Sequence, residues 1–300
     1  MTPPAISDGV TDGPARRTID VPGLRLAVHL WGDPAKPPLI LLHGGRDHAR
    51  SWDRVARVLA DRYSVVVPDL RGHGESDWHP CGRYPMEEYV LDLATIVDDM
   101  GLAPVTIVAH SLGGNIAIRY TGALPGKVRR LVAIEGLGFS PKQLAKRDAE
   151  TAPERLRDWI ERTRATEAKP ARRPADLADA MARLAEANPG FDADLIRHLA
   201  VHATRVAEDG ALMWRHDRRI LSVAPFEASA AQQHQLWGAI TCPTLLIYGT
   251  ASGASNPLTD GRAEKMPAAR VALIEGAGHW VQHDRPEAFM AVLEDFLAEG

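Results

Sequence analysis

The chain has few cysteines, little net charge and no long apolar run. Its two cysteines, Cys81 and Cys242, lie far apart without metal-binding or redox spacing, which favours two unpaired thiols in a reducing cytoplasm. A net charge of −4 supplies no basic field for nucleic acid. Since no apolar stretch reaches membrane-spanning length, the composition predicts a soluble chain without nucleic-acid or membrane partners, and it does not indicate an oligomeric state.

The length and the apolar content set the scale of the fold. With 300 residues, 45% of them hydrophobic, the chain suits one large α/β domain that carries an insertion. Residues 1–14 contain proline, glycine, aspartate and serine but lack the charged-then-apolar layout of a signal peptide. We therefore expect a disordered leader over 1–14.

Short apolar runs recur along the chain and alternate with helical patterns. Two β-rich runs, 17–21 and 24–31, flank Pro22-Gly23 and predict a leading hairpin. Continuous apolar runs, typical of strands buried on both faces, follow at 39–42, 63–67, 104–108, 129–134, 242–249 and 270–274. The repeated strand-turn-helix order, with right-handed crossovers, predicts a doubly wound, mostly parallel sheet of eight strands.

The alternation of strand and helix patterns stops between 140 and 235. This segment shows no convincing strand and is rich in Ala, Arg, Leu and Glu, with prolines spread through it. It predicts several short helices inserted between two parts of the sheet. The domain prediction is therefore a core over 15–139 and 236–300, with a helical cap over 140–235.

A serine stands where a strand meets a helix. An apolar β-branched run ends at Ala109, and Ser111 and Gly113 complete a small-x-Ser-x-Gly pattern before a helical segment. This pattern predicts a tight turn that pushes the serine hydroxyl clear of the backbone. The N–H of Leu112 and the helix dipole would then point to where a substrate oxyanion forms.

Four motifs in this order resemble the α/β-hydrolase superfamily, in particular its capped, esterase-like serine hydrolases. They are His-Gly-Gly at 43–45, Asp-Leu-Arg-Gly-His-Gly-Glu-Ser at 69–76, Ala-His-Ser-Leu-Gly-Gly at 109–114 and Gly-Ala-Gly-His-Trp at 276–280. The resemblance covers the chain from about residue 17 onwards. It implies the α/β-hydrolase fold and an enzyme that needs no cofactor.

The resemblance also implies a role for each matching residue. Ser111 is the expected nucleophile, and His279 is the base that such a weak nucleophile requires. The backbone N–H groups of Gly45 and Leu112 are the expected oxyanion donors. Trp280 and Trp214 are expected to line the substrate cavity.

The third member of the triad stays open at this point. The loop in which most family members carry their acid, 249–257, contains no Asp or Glu, and the first acid, Asp260, is expected inside a following helix. Glu135, at the end of the preceding strand, is the favoured candidate, since some members supply the acid from there. Alternatively, Asn256 or Ser252 orients His279 without charge, which predicts a feeble enzyme.

Other histidines receive structural interpretations. His110 is expected to support the serine turn, His43 to brace the oxyanion loop, and His283 to face solvent. His198 and His202 have the i, i+4 spacing of a helical metal pair, but no third ligand is evident in the sequence. We therefore expect an ordinary cap helix and no metal site.

The combined expectation is a serine hydrolase that cleaves a carboxylic ester or lactone of a hydrophobic small molecule through an acyl-enzyme. The serine argues against haloalkane dehalogenase and epoxide hydrolase chemistry, which use a carboxylate nucleophile in this fold. One alternative is a carbon–carbon bond hydrolase of vinylogous diketones, suggested by the sequence at 278–282. Another is a degenerate hydrolase that binds a small molecule, suggested by the acid-free loop.

Overall fold

The computed structural model describes residues 13–222 and 224–299. Most of the predicted leader, residues 1–12, lies outside the described residues, and the first strand begins at Ala15. The strands are β1 (Ala15–Val21), β2 (Leu24–Trp31), β3 (Pro38–Leu42), β4 (Ser64–Pro68), β5 (Val105–His110), β6 (Val128–Ile134), β7 (Thr204–Val206), β8 (Leu212–Trp214), β9 (Thr244–Gly249) and β10 (Ala269–Ile274).

The helices flank the sheet or fill the inserted segment. They are α1 (Asp53–Leu59), α2 (Met86–Asp99), α3 (Leu112–Ala123), α4 (Pro141–Ala149), α5 (Ala152–Ala168), α6 (Leu177–Ala187), α7 (Ala193–Ala203), α8 (Ala230–Gly238), α9 (Val281–Asp284) and α10 (Pro286–Ala298). None of the helices in the described part of the chain is both long and apolar enough to cross a membrane.

Eight strands form one sheet in the order β1-β2-β4-β3-β5-β6-β9-β10. The hairpin β1–β2 is antiparallel, β2 joins β4 antiparallel, and every other pairing is parallel. This confirms the predicted doubly wound, mostly parallel sheet. Strands β3, β5 and β6 are buried along nearly their whole length between two apolar clusters, one on each face, which explains their continuous apolar sequences.

The strand order reverses direction at β3 and β5, which lie side by side. In open α/β sheets, the crevice at the carboxyl ends of the strands on either side of such a reversal is where ligands bind. Backbone strain marks the same edge of the sheet. Within the described residues, the non-glycine residues with positive φ are Arg46 (64°), Ser111 (51°) and Glu135 (48°), and they follow β3, β5 and β6. Such strain typically persists where function requires it.

Residues 140–235 contain the helices α4 to α7, most of α8 and also a small hairpin. Strands β7 and β8 pair antiparallel between α7 and the end of the insertion, so the expectation of no strand over 140–235 is wrong here. Each strand has only three residues, too few to show a periodic pattern. The predicted boundary at 235/236 falls inside α8, which packs closely on α3: a Cβ on Gly122 would lie 2.3 Å from the Leu236 carbonyl oxygen.

Candidate active site

Ser111 occupies the sharp turn between β5 and α3. Its backbone has φ 51° and ψ −112°, and its N–H donates to the Ile134 carbonyl at 2.8 Å. The next turn leaves no room for side chains, because a Cβ on Gly113 would lie 2.6 Å from the His43 carbonyl oxygen. The glycine of the small-x-Ser-x-Gly pattern therefore allows the chain to turn sharply at the serine.

Three loops bring a serine, a histidine and a carboxylate into one line. Ser111 Oγ lies 3.1 Å from His279 Nε2, and His279 Nδ1 lies 2.5 Å from Glu135 Oε2. Ser111 follows β5, Glu135 follows β6, and His279 lies in the loop after β10. With Nδ1–H donating to the carboxylate, Nε2 is left to accept the serine proton, as general-base catalysis requires.

Glu135 is held as a buried carboxylate. Its side chain is fully buried, Oε1 accepts from the Gly249 N–H at 3.1 Å, and Oε2 accepts from Ser252 Oγ at 2.7 Å. These two hydrogen bonds fix the orientation of the carboxyl group towards His279. Ser252, considered above as a neutral partner of His279, instead supports Glu135.

The other candidates for the acid position lie elsewhere. Asp260 is in an irregular loop and not in a helix, so that expectation is wrong; its carboxylate is bound by Ser255 Oγ at 2.6 Å and by Arg262. Asn256 Oδ1 accepts from the Leu258 N–H at 3.0 Å. These local contacts direct both side chains to their own loop, while Glu135 contacts His279.

Gly45 and Leu112, the predicted oxyanion donors, are neighbours in the structure. Leu112 is the first residue of α3, where its N–H has no intrahelical acceptor. The Gly45 Cα lies against the Leu112 side chain, which a Cβ on Gly45 would approach to 3.8 Å. The preceding Gly44 sits even closer to the turn, since a Cβ there would lie 2.9 Å from His110 Nδ1.

His43 and His110 are buried behind the site. His43 Nδ1 donates to the Gly44 carbonyl at 2.8 Å, and its Nε2 accepts from the Leu70 N–H at 3.0 Å, so this ring ties the loop after β3 to the loop after β4. His110 Nε2 donates to the His279 carbonyl at 2.9 Å. Burial lowers the pKa of both rings, which keeps them neutral.

His283 does not face solvent as expected. It lies in α9, buried between Trp280, with ring centroids 5.9 Å apart, and Phe191, at 5.3 Å. Burial lowers its pKa to about 3. Its position directly before a surface helix suggested exposure, but the inserted segment covers it.

A group of buried neutral histidines predicts acid sensitivity. Burial is the main cause that lowers the pKa of His43, His48, His73, His110, His216 and His283. In the unfolded chain the pKa of histidine is about 6.5. Below that pH the unfolded chain binds protons that the folded chain does not bind, so stability that is present above pH 6.5 is lost as the pH falls. Asp47 has the opposite effect, because burial raises its pKa to about 7 and the folded chain therefore binds a proton there that the unfolded chain does not bind. It offsets the contribution of about one histidine to this pH dependence.

We therefore expect the urea midpoint to be level between pH 7 and 8 and to fall steeply towards pH 5. Each histidine contributes up to about 1.4 kcal/mol per pH unit to the free energy of unfolding. The variant His48→Gln should reduce the slope of unfolding free energy against pH by the contribution of one histidine, since the pKa of His48 is lowered to about 3. An unchanged midpoint between pH 7 and 5 would contradict the prediction.

A cavity of about 570 Å³ opens above the serine. Ser111, His279, Gly45 and Leu112 all contribute to its wall, and so does Trp280. Trp214 does not; it lies in β8, stacked on His216 with ring centroids 6.1 Å apart, so the structure does not bring it to this cavity. A larger cavity of about 850 Å³ borders the other side of His279, but Ser111 is not part of its wall.

Known proteins resemble this chain in sequence and in fold. The family model for the alpha/beta hydrolase fold matches residues 37–286. The chain is 28% identical to epoxide hydrolase A of Mycobacterium tuberculosis, over 95% of this chain and 97% of the relative. It is also 28% identical to an esterase of that organism, over 89% and 84%. The solved structure of a hypothetical protein from Pseudomonas aeruginosa matches with a TM-score of 0.82 at 27% identity, over 94% and 98%.

Proposed function

The chain belongs to the α/β-hydrolase family, and on that basis we propose that it is a serine hydrolase that cleaves a carboxylic ester or lactone of a hydrophobic small molecule through an acyl-enzyme. The observation that carries the proposal is the hydrogen-bonded line from Ser111 Oγ through His279 to Glu135. An esterase among its relatives supports the same reaction class.

Acylation begins at Ser111. His279 Nε2 takes the hydroxyl proton while Oγ attacks the substrate carbonyl carbon, and the negative charge that forms on the carbonyl oxygen is met by the N–H groups of Gly45 and Leu112. His279 then returns the proton to the leaving alkoxide. A water molecule, activated by the same imidazole, hydrolyses the acyl-enzyme and restores Ser111.

Glu135 acts through His279. Its carboxylate receives Nδ1–H, which selects the tautomer with a free Nε2 and stabilises the imidazolium formed during proton transfer. Because Ser252 Oγ and the Gly249 N–H hold both carboxylate oxygens, the group is oriented before substrate binds. We propose that no cofactor takes part, since these groups supply every step.

The similarity to an epoxide hydrolase does not change the proposed reaction. Epoxide opening in this fold uses a carboxylate that attacks carbon, whereas the corresponding position here is Ser111 with its hydroxyl aligned to His279. A serine–histidine pair is suited to acyl transfer. We therefore favour an ester or lactone carbonyl as the reacting group.

The cavity suits a compact, largely apolar acyl or alcohol group. Arg119 and Glu227, both in its wall, form an ion pair of 3.1 Å and so offset each other's charge. Apolar side chains form much of the rest of the wall: Tyr84, Met86, Leu112, Phe139, Ile220 and Trp280.

The free thiols of Cys81 and Cys242 fit the proposed cytoplasmic location.

The test is covalent capture of the acyl-enzyme. We expect p-nitrophenyl butyrate to give a burst of about one nitrophenolate per chain before steady turnover, and a fluorophosphonate to label Ser111 in a peptide map. The carbon–carbon alternative would be favoured by turnover of a vinylogous diketone together with inactivity on esters and lactones. Specific binding of an ester without turnover or labelling would instead support a degenerate, ligand-binding protein.

A further inference from the structure

Helix α7 of the inserted segment lies across the start of α1. Arg54 holds Asp192, the N-terminal cap of α7, through two hydrogen bonds of 2.8 and 3.0 Å. Nearly two turns along α7, His198 Nε2 donates to the Arg50 carbonyl at 2.8 Å. These contacts fix one face of α7 against the segment that directly follows the Gly44-Gly45 loop.

A cluster of three potential metal ligands lies in this interface. Asp53, His198 and His202 each offer one ligand atom, and these atoms lie within 4.8 Å of one another. The His198 Nε2 to Asp53 Oδ2 distance is 3.4 Å, and the two imidazole rings are 4.6 Å apart. From the sequence, the i, i+4 pair His198 and His202 is expected to lie on an ordinary helix. Folding brings α1 next to this pair, so that Asp53 becomes a third potential ligand.

Asp53 is buried and has one oxygen without a partner. It is only 4% exposed, its Oδ2 accepts hydrogen bonds from Arg50, and its Oδ1 has no hydrogen-bond partner. A buried carboxylate oxygen without a partner is costly unless something binds it.

We propose that Asp53, His198 and His202 form a binding site for a divalent transition-metal ion, with zinc as the best-suited ion. Two imidazoles and one carboxylate are typical zinc donors, whereas magnesium and calcium favour oxygen ligands alone. Ligand atoms around tetrahedral zinc lie about 3.3 Å apart, so side-chain rotations that move the ligand atoms by about an ångström would bring them to coordinating distance. A water molecule would complete the coordination.

The surrounding groups permit this binding. Arg50 bonds Oδ2 of Asp53, which leaves Oδ1 for the ion. On coordinating the ion, His198 Nε2 gives up its proton and its hydrogen bond to the Arg50 carbonyl, and the bond to the ion takes the place of that contact between α7 and the segment before α1. The ion would thus fasten the inserted segment to the sheet domain, independently of any reaction at Ser111.

The test is titration of tag-free protein with Zn²⁺ by calorimetry and with Co²⁺ by its visible absorption. We expect one ion per chain, and at least a tenfold weaker affinity in His198→Gln and in His202→Gln. His234→Gln is the matched control, since His234 lies in α8 and packs against Trp237 outside the cluster, and it should bind as the unmodified protein does. At about 100 times the dissociation constant, Zn²⁺ should raise Tm by about 5 °C in the unmodified protein and much less in the two variants.

The proposal is overturned if both variants bind Zn²⁺ as tightly as the unmodified protein, because the ion then lies elsewhere. It is equally overturned if the unmodified protein binds neither Zn²⁺ nor Co²⁺ up to millimolar concentrations. Urea midpoints of the metal-free proteins show whether each variant is folded. Since binding is measured without substrate, the outcome is separate from that of the proposed hydrolase activity.

Discussion

Ser111→Ala should reduce kcat for p-nitrophenyl butyrate by about 10⁵-fold or more, with KM changed little. Only the hydroxyl group is lost, and its oxygen is the atom that would form the proposed acyl-enzyme. Alanine keeps the Cβ, so the backbone at φ 51° meets the same steric demand as before. The oxyanion N–H groups and the cavity remain, which is why binding should survive.

Ser255→Ala serves as the control for this variant. Ser255 lies in the loop after β9 and donates to Asp260 at 2.6 Å, outside the hydrogen-bonded series of Ser111, His279 and Glu135. Its turnover should stay within a few-fold of the unmodified protein. Equal turnover by Ser111→Ala and the unmodified protein, each well above buffer, would mean that Ser111 is not the nucleophile.

Glu135→Gln should have the second-largest effect, a loss of about 10⁴-fold in kcat at neutral pH. The carboxamide has almost the shape of the carboxylate, but it lacks the charge that stabilises the imidazolium. Its NH₂ group can also face His279 and favour the wrong tautomer. Because the side chain is fully buried, solvent cannot replace the missing charge.

Two variants distinguish this positioning role from a purely structural one. Glu135→Asp keeps the charge but shortens the reach, so it should recover part of the activity that Glu135→Gln loses. Asp260→Asn removes the carboxylate nearest to the expected loop position and should leave kcat within a few-fold, because Asp260 is bound by Arg262. A large loss in Asp260→Asn with little loss in Glu135→Gln would move the acid to Asp260. Urea midpoints check that each variant is folded.

The elements carried by strong local patterns could be predicted from the sequence. The apolar run before Ser111 and the small residues around it correctly predict a strand, a tight turn and a helix, found as β5, Ser111 and α3. The hairpin around Pro22-Gly23 is likewise confirmed. Each of these depends on interactions between residues close together in the chain, so the sequence contains the relevant information.

The wrong expectations concern side chains whose surroundings come from distant segments. His283 is buried because Phe191 of the insertion packs on it. Asp260 stays in a loop because Arg262 and Ser255 bind it there. Neither periodicity nor spacing reports such contacts.

The order of strands and helices in the eight-stranded sheet, the serine turn and the candidates Ser111 and His279 could be inferred from sequence alone, because these follow from local backbone preferences and short motifs. The carboxylate that meets His279 could be identified only in the folded chain, since Glu135 and Ser252 come together through the pairing of β6 with β9. Folding likewise brings Asp53 to His198 and His202. Both arrangements depend on contacts between segments far apart in the chain, and no local pattern specifies those.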